Sequence, residues 1–310
     1  MKRITYLLLF FVLLATKTYS QQDSTQKEDT FFDDKLAFPS TSKSIFSKSD
    51  HSHTVELQYG YATASIHESK FNLRKFRPAN SAFIKWGSRS INPTDDSSVF
   101  EYGLKSIKLG KFSSEWFEGT DSKRIGIDTW MFGFGSSSGY GYKFGEKSDL
   151  VLYRESAINW SWTDFKGSID TTTVSDPVQK AKAVRQNSDL GIIHDGGRFG
   201  SSEETGIKFQ IYKPLAVNIG VERNEIYPRT MFWYMCGSSI VKGVGTMLIK
   251  QLGEMLFESS PKILPIFDWV VQTAYSYGFS QLTRKHMEWP IYTVPPLIYD
   301  NYKFGLTFNF

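Results

Sequence analysis

The chain has 310 residues, a formal net charge of +4, 40% hydrophobic and 16% aromatic content, and a mean hydropathy of −0.32. Cys236 is the single cysteine, so no disulfide framework can form within the chain. So many rings (25 Phe, 16 Tyr, 8 Trp) at so low a mean hydropathy exclude a bundle of membrane helices and point to strands that space their apolar residues out.

Residues 1–20 read as a cleaved signal peptide: Lys2 and Arg3, an apolar run from Tyr6 to Ala15, then Thr18 and Ser20 at −3 and −1 before Gln21. The run is shorter than the ~20 residues a spanning helix needs, and no cysteine follows the cut to carry a lipid. Cleavage removes Lys2, Arg3 and Lys17 and no acid, taking the formal charge from +4 to +1. The basicity therefore belongs to the discarded peptide, and nucleic acid is not implied. Residues 21–52 are polar and aperiodic and read as a flexible leader.

From His53 the period becomes two. Val55, Leu57, Tyr59 and Tyr61 fall on one face, with Glu56, Gln58, Gly60 and Ala62 on the other. Tyr140, Tyr142 and Phe144 share a face, as do Ile158, Trp160 and Trp162, then Ile207, Phe209 and Ile211, then Leu215, Val217, Ile219 and Val221. Each segment is a strand with one greasy face and one small or polar face. Strands are expected near 54–66, 80–91, 98–109, 123–135, 138–145, 148–163, 188–196, 204–213, 215–223 and 301–310. Trp269 to Phe279 reads as a helix or an eleventh strand. Tight linkers stand at Gly145–Ser148 and Lys213-Pro214, and residues 164–189 read as a long surface loop.

Residues 231–283 break the pattern. Ile240, Val244, Met247, Leu248, Leu252, Met255 and Leu256 recur at helical spacing, with Ser238 or Ser239 as a cap and Ser259, Ser260 and Pro261 as a stop. A second apolar stretch follows, so the insertion reads as a helical hairpin. Lys242, Lys250 and Glu254 would be costly at membrane depth, which argues against a spanning helix. The expected placement is a plug in a lumen or a cap on its mouth, with Gly237, Gly243, Gly245 and Gly253 allowing close packing against a wall.

The last segment, NYKFGLTFNF, puts Tyr302, Phe304, Leu306, Phe308 and Phe310 on one side and Lys303, Gly305, Thr307 and Asn309 on the other. With the signal peptide and the alternating strands, this final strand resembles the C-terminal signal of bacterial outer-membrane β-barrel proteins as a class. The resemblance implies an all-β fold, an antiparallel transmembrane β-barrel of roughly 8–12 strands over residues 53–310. It implies a Gram-negative outer membrane, with lipid, lipopolysaccharide, the barrel assembly machinery and an unidentified envelope protein as partners. Under it the last strand pairs with the first and removes both sheet edges.

Chemistry is sparse. His67-Glu68-Ser69 places an imidazole and a hydroxyl two apart on one strand face, similar to the His-x-Ser pair of outer-membrane lipid A deacylases; its surroundings do not resemble that family, and no orienting acid is evident. His51 and His53 lack a third metal ligand. The Gly-rich run GFGSSSGYG precedes no helix with a lysine and reads as strand. Glu222, Arg223, Glu225 and Arg229 offer ion pairs in a lumen or at a rim, or phosphate contacts if they face outward. Neither a metal nor a cofactor is expected. The leading reading is a non-enzymatic barrel acting as a small or plugged channel, envelope scaffold or accessory subunit. Two alternatives stand beside it: an outer-membrane lipid-modifying hydrolase, and a secreted soluble β-sandwich that binds a ligand.

Overall fold

The structure is a computed structural model and describes residues 50–66, 76–94, 96–116, 124–145, 148–167, 175–194, 196–229, 232–257, 262–284, 289–291 and 295–310. Eight antiparallel strands follow the alternation: β1 (Asp50–Ile66), β2 (Ala79–Pro93), β3 (Val99–Ser113), β4 (Gly126–Phe144), β5 (Ser148–Lys166), β6 (Arg198–Tyr212), β7 (Leu215–Ile226) and β8 (Leu297–Asn309). Each pairs with its neighbours in sequence, and β8 pairs with β1, so the sheet closes and has no edge. The seam runs to the end of the last strand, where Phe310 and His53 exchange backbone hydrogen bonds of 2.9 and 3.2 Å.

Register fixes the barrel's dimensions. Stepping across paired residues from Val55 to Trp86, Ile107, Phe134, Ile158, Ser201, Glu225 and Ile298 returns to β1 at Ser65, ten residues further along. That stagger tilts the strands by about 40°, and eight strands leave an interior just wide enough for side chains. The β2–β3, β4–β5 and β6–β7 connections are short and share one end with both barrel termini, here called the turn end. At the β2–β3 turn the Ser98 hydroxyl and N–H donate to Asp96 at 2.6 and 2.8 Å, holding that carboxyl below the usual carboxylate range. Gly145 opens the β4–β5 turn at φ +78°, where a residue with a Cβ would pay about 1–2 kcal/mol.

The interior is layered. At the loop end Phe112 stacks on Tyr299 (4.5 Å between centroids) and meets Phe83 edge-on at 5.1 Å, with Met131, Ile127 and Ile226 around them. Phe100, Tyr102, Leu104, Val151 and Tyr153 form a second apolar layer toward the turn end. Glycines make room for the rings: a Cβ on Gly110 would lie 2.0 Å from Phe83, and one on Gly141 2.2 Å from Phe100.

Among the described residues three helices interrupt the strands: α1 (Pro177–His194), α2 (Phe232–Phe257) and α3 (Leu264–Thr283). The expected strands at 123–135 and 138–145 are one strand, β4, because the Gly-rich run continues the pairing with β3 and β5. The expected strand at 188–196 and much of the expected 164–189 loop are helix α1. Asp176 starts it, accepting the Val178 N–H at 2.9 Å ahead of Pro177 at the first helical position. Leu190 and Ile193 of α1 are buried in the loop-end cluster, and Ala183 of the same helix is buried too, so α1 packs over that mouth. Trp269 to Phe279 lies in α3 and is not a strand. Ser238 is buried six residues after the start of α2 and is not its cap.

Candidate functional site: a charged lumen and a hairpin on the outer wall

Between the two apolar layers lie four lysines and four glutamates, Lys85, Lys108, Lys208 and Lys303 with Glu56, Glu155, Glu204 and Glu222, all buried. They come from every strand but β4, and their charges cancel. Lys85 reaches Glu155 at 2.9 Å and Glu204 at 2.7 Å. Lys303 reaches Glu204 at 2.6 Å and Glu222 at 2.9 Å, and also donates to Gln58 at 3.0 Å. Lys208 pairs with Glu56 at 2.9 Å, and Lys108 pairs with Glu222. Hydroxyls add further donors: Tyr153 donates to Glu204 and Ser137 to Glu155, both at 2.7 Å, and Thr307 to Glu56 at 3.1 Å. Unpaired, each of these ions would cost several kcal/mol at this depth; meshed, they hold opposite walls together.

The outer face is apolar over most of its height. Trp86, Ile107, Phe134, Ile158, Phe209, Ile219 and Phe304 all stand exposed there. One register row departs from this. It runs through Ser88, Lys105, Ser136, Ser156, Glu203, Arg223 and Asp300, each paired with the next and each pointing outward. Arg154 and Thr205, paired with one another, add polar groups in the adjoining row.

The helical hairpin lies over this polar stretch. Arg154 donates to Gln272 and, at 2.8 Å, to Ser276, while Thr205 and Thr273 share a hydrogen bond of 2.9 Å. Arg223 donates to Asp300 at 2.6 Å and to Ser280 at 2.7 Å, and Lys242 of α2 pairs with Glu203 at 2.6 Å. Tyr142 donates to the Lys262 carbonyl (2.6 Å) near the turn end, and Thr283 donates to Glu225 (2.9 Å) near the loop end. Helix α3 therefore runs the height of the wall. Every wall residue in these contacts has the outward parity of Trp160, Ile207 and Val221.

This corrects the expected plug or cap. The lumen is already full of its own side chains and its loop-end mouth is taken by α1, so the hairpin sits outside. Of the hairpin positions read from the sequence, Ile240, Val244, Met247, Leu248, Leu252 and Met255 are exposed, with Met255 at 77% and Ile240 at 66%. Two of the glycines serve the helix pair rather than the wall: a Cβ on Gly245 would lie 2.2 Å from Tyr275, and one on Gly253 3.2 Å from Leu264.

In the last strand Tyr302, Phe304, Leu306 and Phe310 are exposed, while Lys303 and Thr307 are buried in the lumen. Phe308 faces outward with them, paired to Val55 and Leu215. Glu222 faces the lumen, whereas Arg223 and Glu225 face the hairpin. His67 and Ser69 lie outside the described residues, as do the expected signal peptide and the expected leader through Ser49. His53 is exposed near the turn end. His194 ends α1 and lies 3.5 Å from Asp164, beside a hollow of about 310 Å³ with Asp128, Trp130 and Trp162. Among the described residues no group of three or more His, Cys, Asp or Glu could hold a metal ion.

No protein-family model matches the chain, and no curated protein matches it. Among solved structures, Neisserial surface protein A is similar at 11% identity and a TM-score of 0.37, over 84% of this chain and 99% of that one. Ail, the attachment invasion locus protein of Yersinia pestis, is similar at 6% identity and a TM-score of 0.30, again over 84% and 99%. Its complex with the heparin analogue sucrose octasulfate gives 7% and 0.32 over the same shares. Closure, an exposed ring of apolar and aromatic side chains, and an ionic lumen are the inverse of a soluble sandwich, whose rings would pack inward. The chain is a closed, eight-stranded antiparallel β-barrel of the outer-membrane type.

Proposed function

We propose that this protein is a non-conducting, non-enzymatic barrel of a Gram-negative outer membrane, serving as an envelope scaffold or as the accessory subunit of a larger assembly. One observation carries the reading: the lumen holds a neutral, fully buried lattice of four Lys and four Glu between two apolar layers. An ion crossing it would have to break several buried pairs, each break costing about 3–5 kcal/mol. What remains available for interaction lies on the outer wall and at the rims. The signal peptide and the aromatic final strand support export and recognition by the assembly machinery, and the apolar belt supports contact with lipid and lipopolysaccharide.

Planar-bilayer recording of the purified chain tests this. Conductance at the lipid baseline is the expected result, and discrete open steps would end the proposal. Recovery in the outer-membrane fraction with heat-modifiable gel migration tests the compartment; recovery in the soluble fraction would refute it.

A further inference from the structure

We infer that the α2–α3 hairpin is immersed in the bilayer as a two-helix flank of the barrel, its apolar side against acyl chains and its polar side sealed on the wall. The inference rests on the membrane reading of the barrel proposed above.

The wall supplies the first reason. Arg154, Glu203 and Arg223 point outward at the level of the apolar belt, sharing their strands' outer parity with Ile158, Ile207 and Val221. Bare to hydrocarbon, an arginine at the midplane of a barrel's lipid face is strongly destabilising, and a glutamate less so. The hairpin removes that exposure with chemically matched groups: Gln272 and Ser276 on Arg154, Ser280 on Arg223, Lys242 on Glu203.

The hairpin supplies the second. On α2, Ile240, Val244, Leu248 and Leu252 repeat every four residues and face away from the barrel, 50–66% exposed. On α3, Ile266 and Val270 stand four residues apart and are 54% and 49% exposed. Facing water, this would be a contiguous exposed apolar stripe of the kind that marks an interaction surface. Beside the barrel it prolongs the belt, so the occupant with the right chemistry is hydrocarbon.

Dimensions agree. Twenty residues of α3 rise about 30 Å, close to the hydrocarbon thickness of a bilayer. No helix among the described residues is long and apolar enough to cross a membrane by itself. A helix that borrows its ionic partners from a neighbouring wall is relieved of that requirement. Lys242, whose charge argued against membrane depth, has Glu203 at 2.6 Å.

The test uses the full chain in phosphatidylcholine vesicles with Cys236→Ser as background. Nitroxides go on Val244→Cys, Leu248→Cys or Ile266→Cys, with Ile107→Cys as a belt control and Val178→Cys on α1 as a solvent control. Oxygen should relax the hairpin labels several-fold more than a water-soluble nickel chelate does, as at Ile107, with the opposite order at Val178. Nickel-accessible hairpin labels beside a lipid-accessible Ile107 would overturn the inference and leave the barrel reading intact. Labels shielded from both agents would overturn it too, since a second copy of the chain would then cover the hairpin. A nickel-accessible Ile107 would sink the membrane reading itself. On the unsubstituted chain, a lipid-phase carbene photolabel should mark the fragment holding residues 240–256; labelling of the strands without that fragment refutes immersion even if a variant misfolds.

Discussion

Glu204 of β6 and Lys85 of β2 meet across the lumen at 2.7 Å, joining strands from opposite sides of the barrel. The same carboxylate also holds Lys303 of β8 and accepts from Tyr153 of β5, so one side chain ties four strands. Glu204→Gln keeps the volume and removes the charge two lysines depend on. The expected loss is about 3–5 kcal/mol of stability, read as a lower urea midpoint in detergent micelles. Adding Lys85→Met should cost less than the two single losses summed, by about 0.5–3 kcal/mol, because the second change removes a charge that the first leaves with Glu155 as its one close carboxylate.

The loop-end layer is tightly fitted at Gly110, where Phe83 lies over the backbone. Gly110→Ala should lower stability by about 1–3 kcal/mol through overpacking. Phe83→Leu in the same chain should recover part of it, measured by thermal melting in the same micelles. A Gly110→Ala variant as stable as the parent would show that the ring is free to move.

Because the hairpin is outside, it does not stop the bore. Deleting residues 232–283 should leave bilayer conductance at baseline, with the barrel still heat-modifiable on a gel. A rise in conductance would return the hairpin to the role of a plug.

Arg154 is the hairpin's anchor at mid-wall, reaching both Gln272 and Ser276. Arg154→Leu exchanges a hydrogen-bonded guanidinium, worth about 1.5–3 kcal/mol, for an apolar contact. Hydrogen exchange along α3 should quicken by roughly ten- to a hundredfold while the amides of β1, β2 and β8 keep their protection. Equal acceleration in strands and helix would mean that the arginine stabilises the barrel as a whole.

The strands were legible because side-chain parity is local. Tyr302, Phe304, Leu306 and Phe308 face outward for the same reason Lys303 and Thr307 face inward, and no distant residue is needed to see it. In sequence, helix α1 reads as a loop and a strand because its surroundings are polar; Asp176-Pro177 and the spacing of Ala183, Leu190 and Ile193 are the signals that could have found it. The hairpin's seat left a fainter trace. Glu203, Thr205, Arg154 and Arg223 occupy positions that alternation assigns to lipid, and a polar run on a greasy face asks for a cover.

Composition and period two were enough for a sheet with one apolar face and a final strand fit to be a seam, since both depend on neighbours in the chain. Strand number, the ten-residue stagger, the meeting of Lys85 with Glu204 and the side of the wall taken by the hairpin arose only on closure. Those contacts join residues about 50 to 250 positions apart, and no local pattern encodes which of several equally spaced lysines will face a given glutamate.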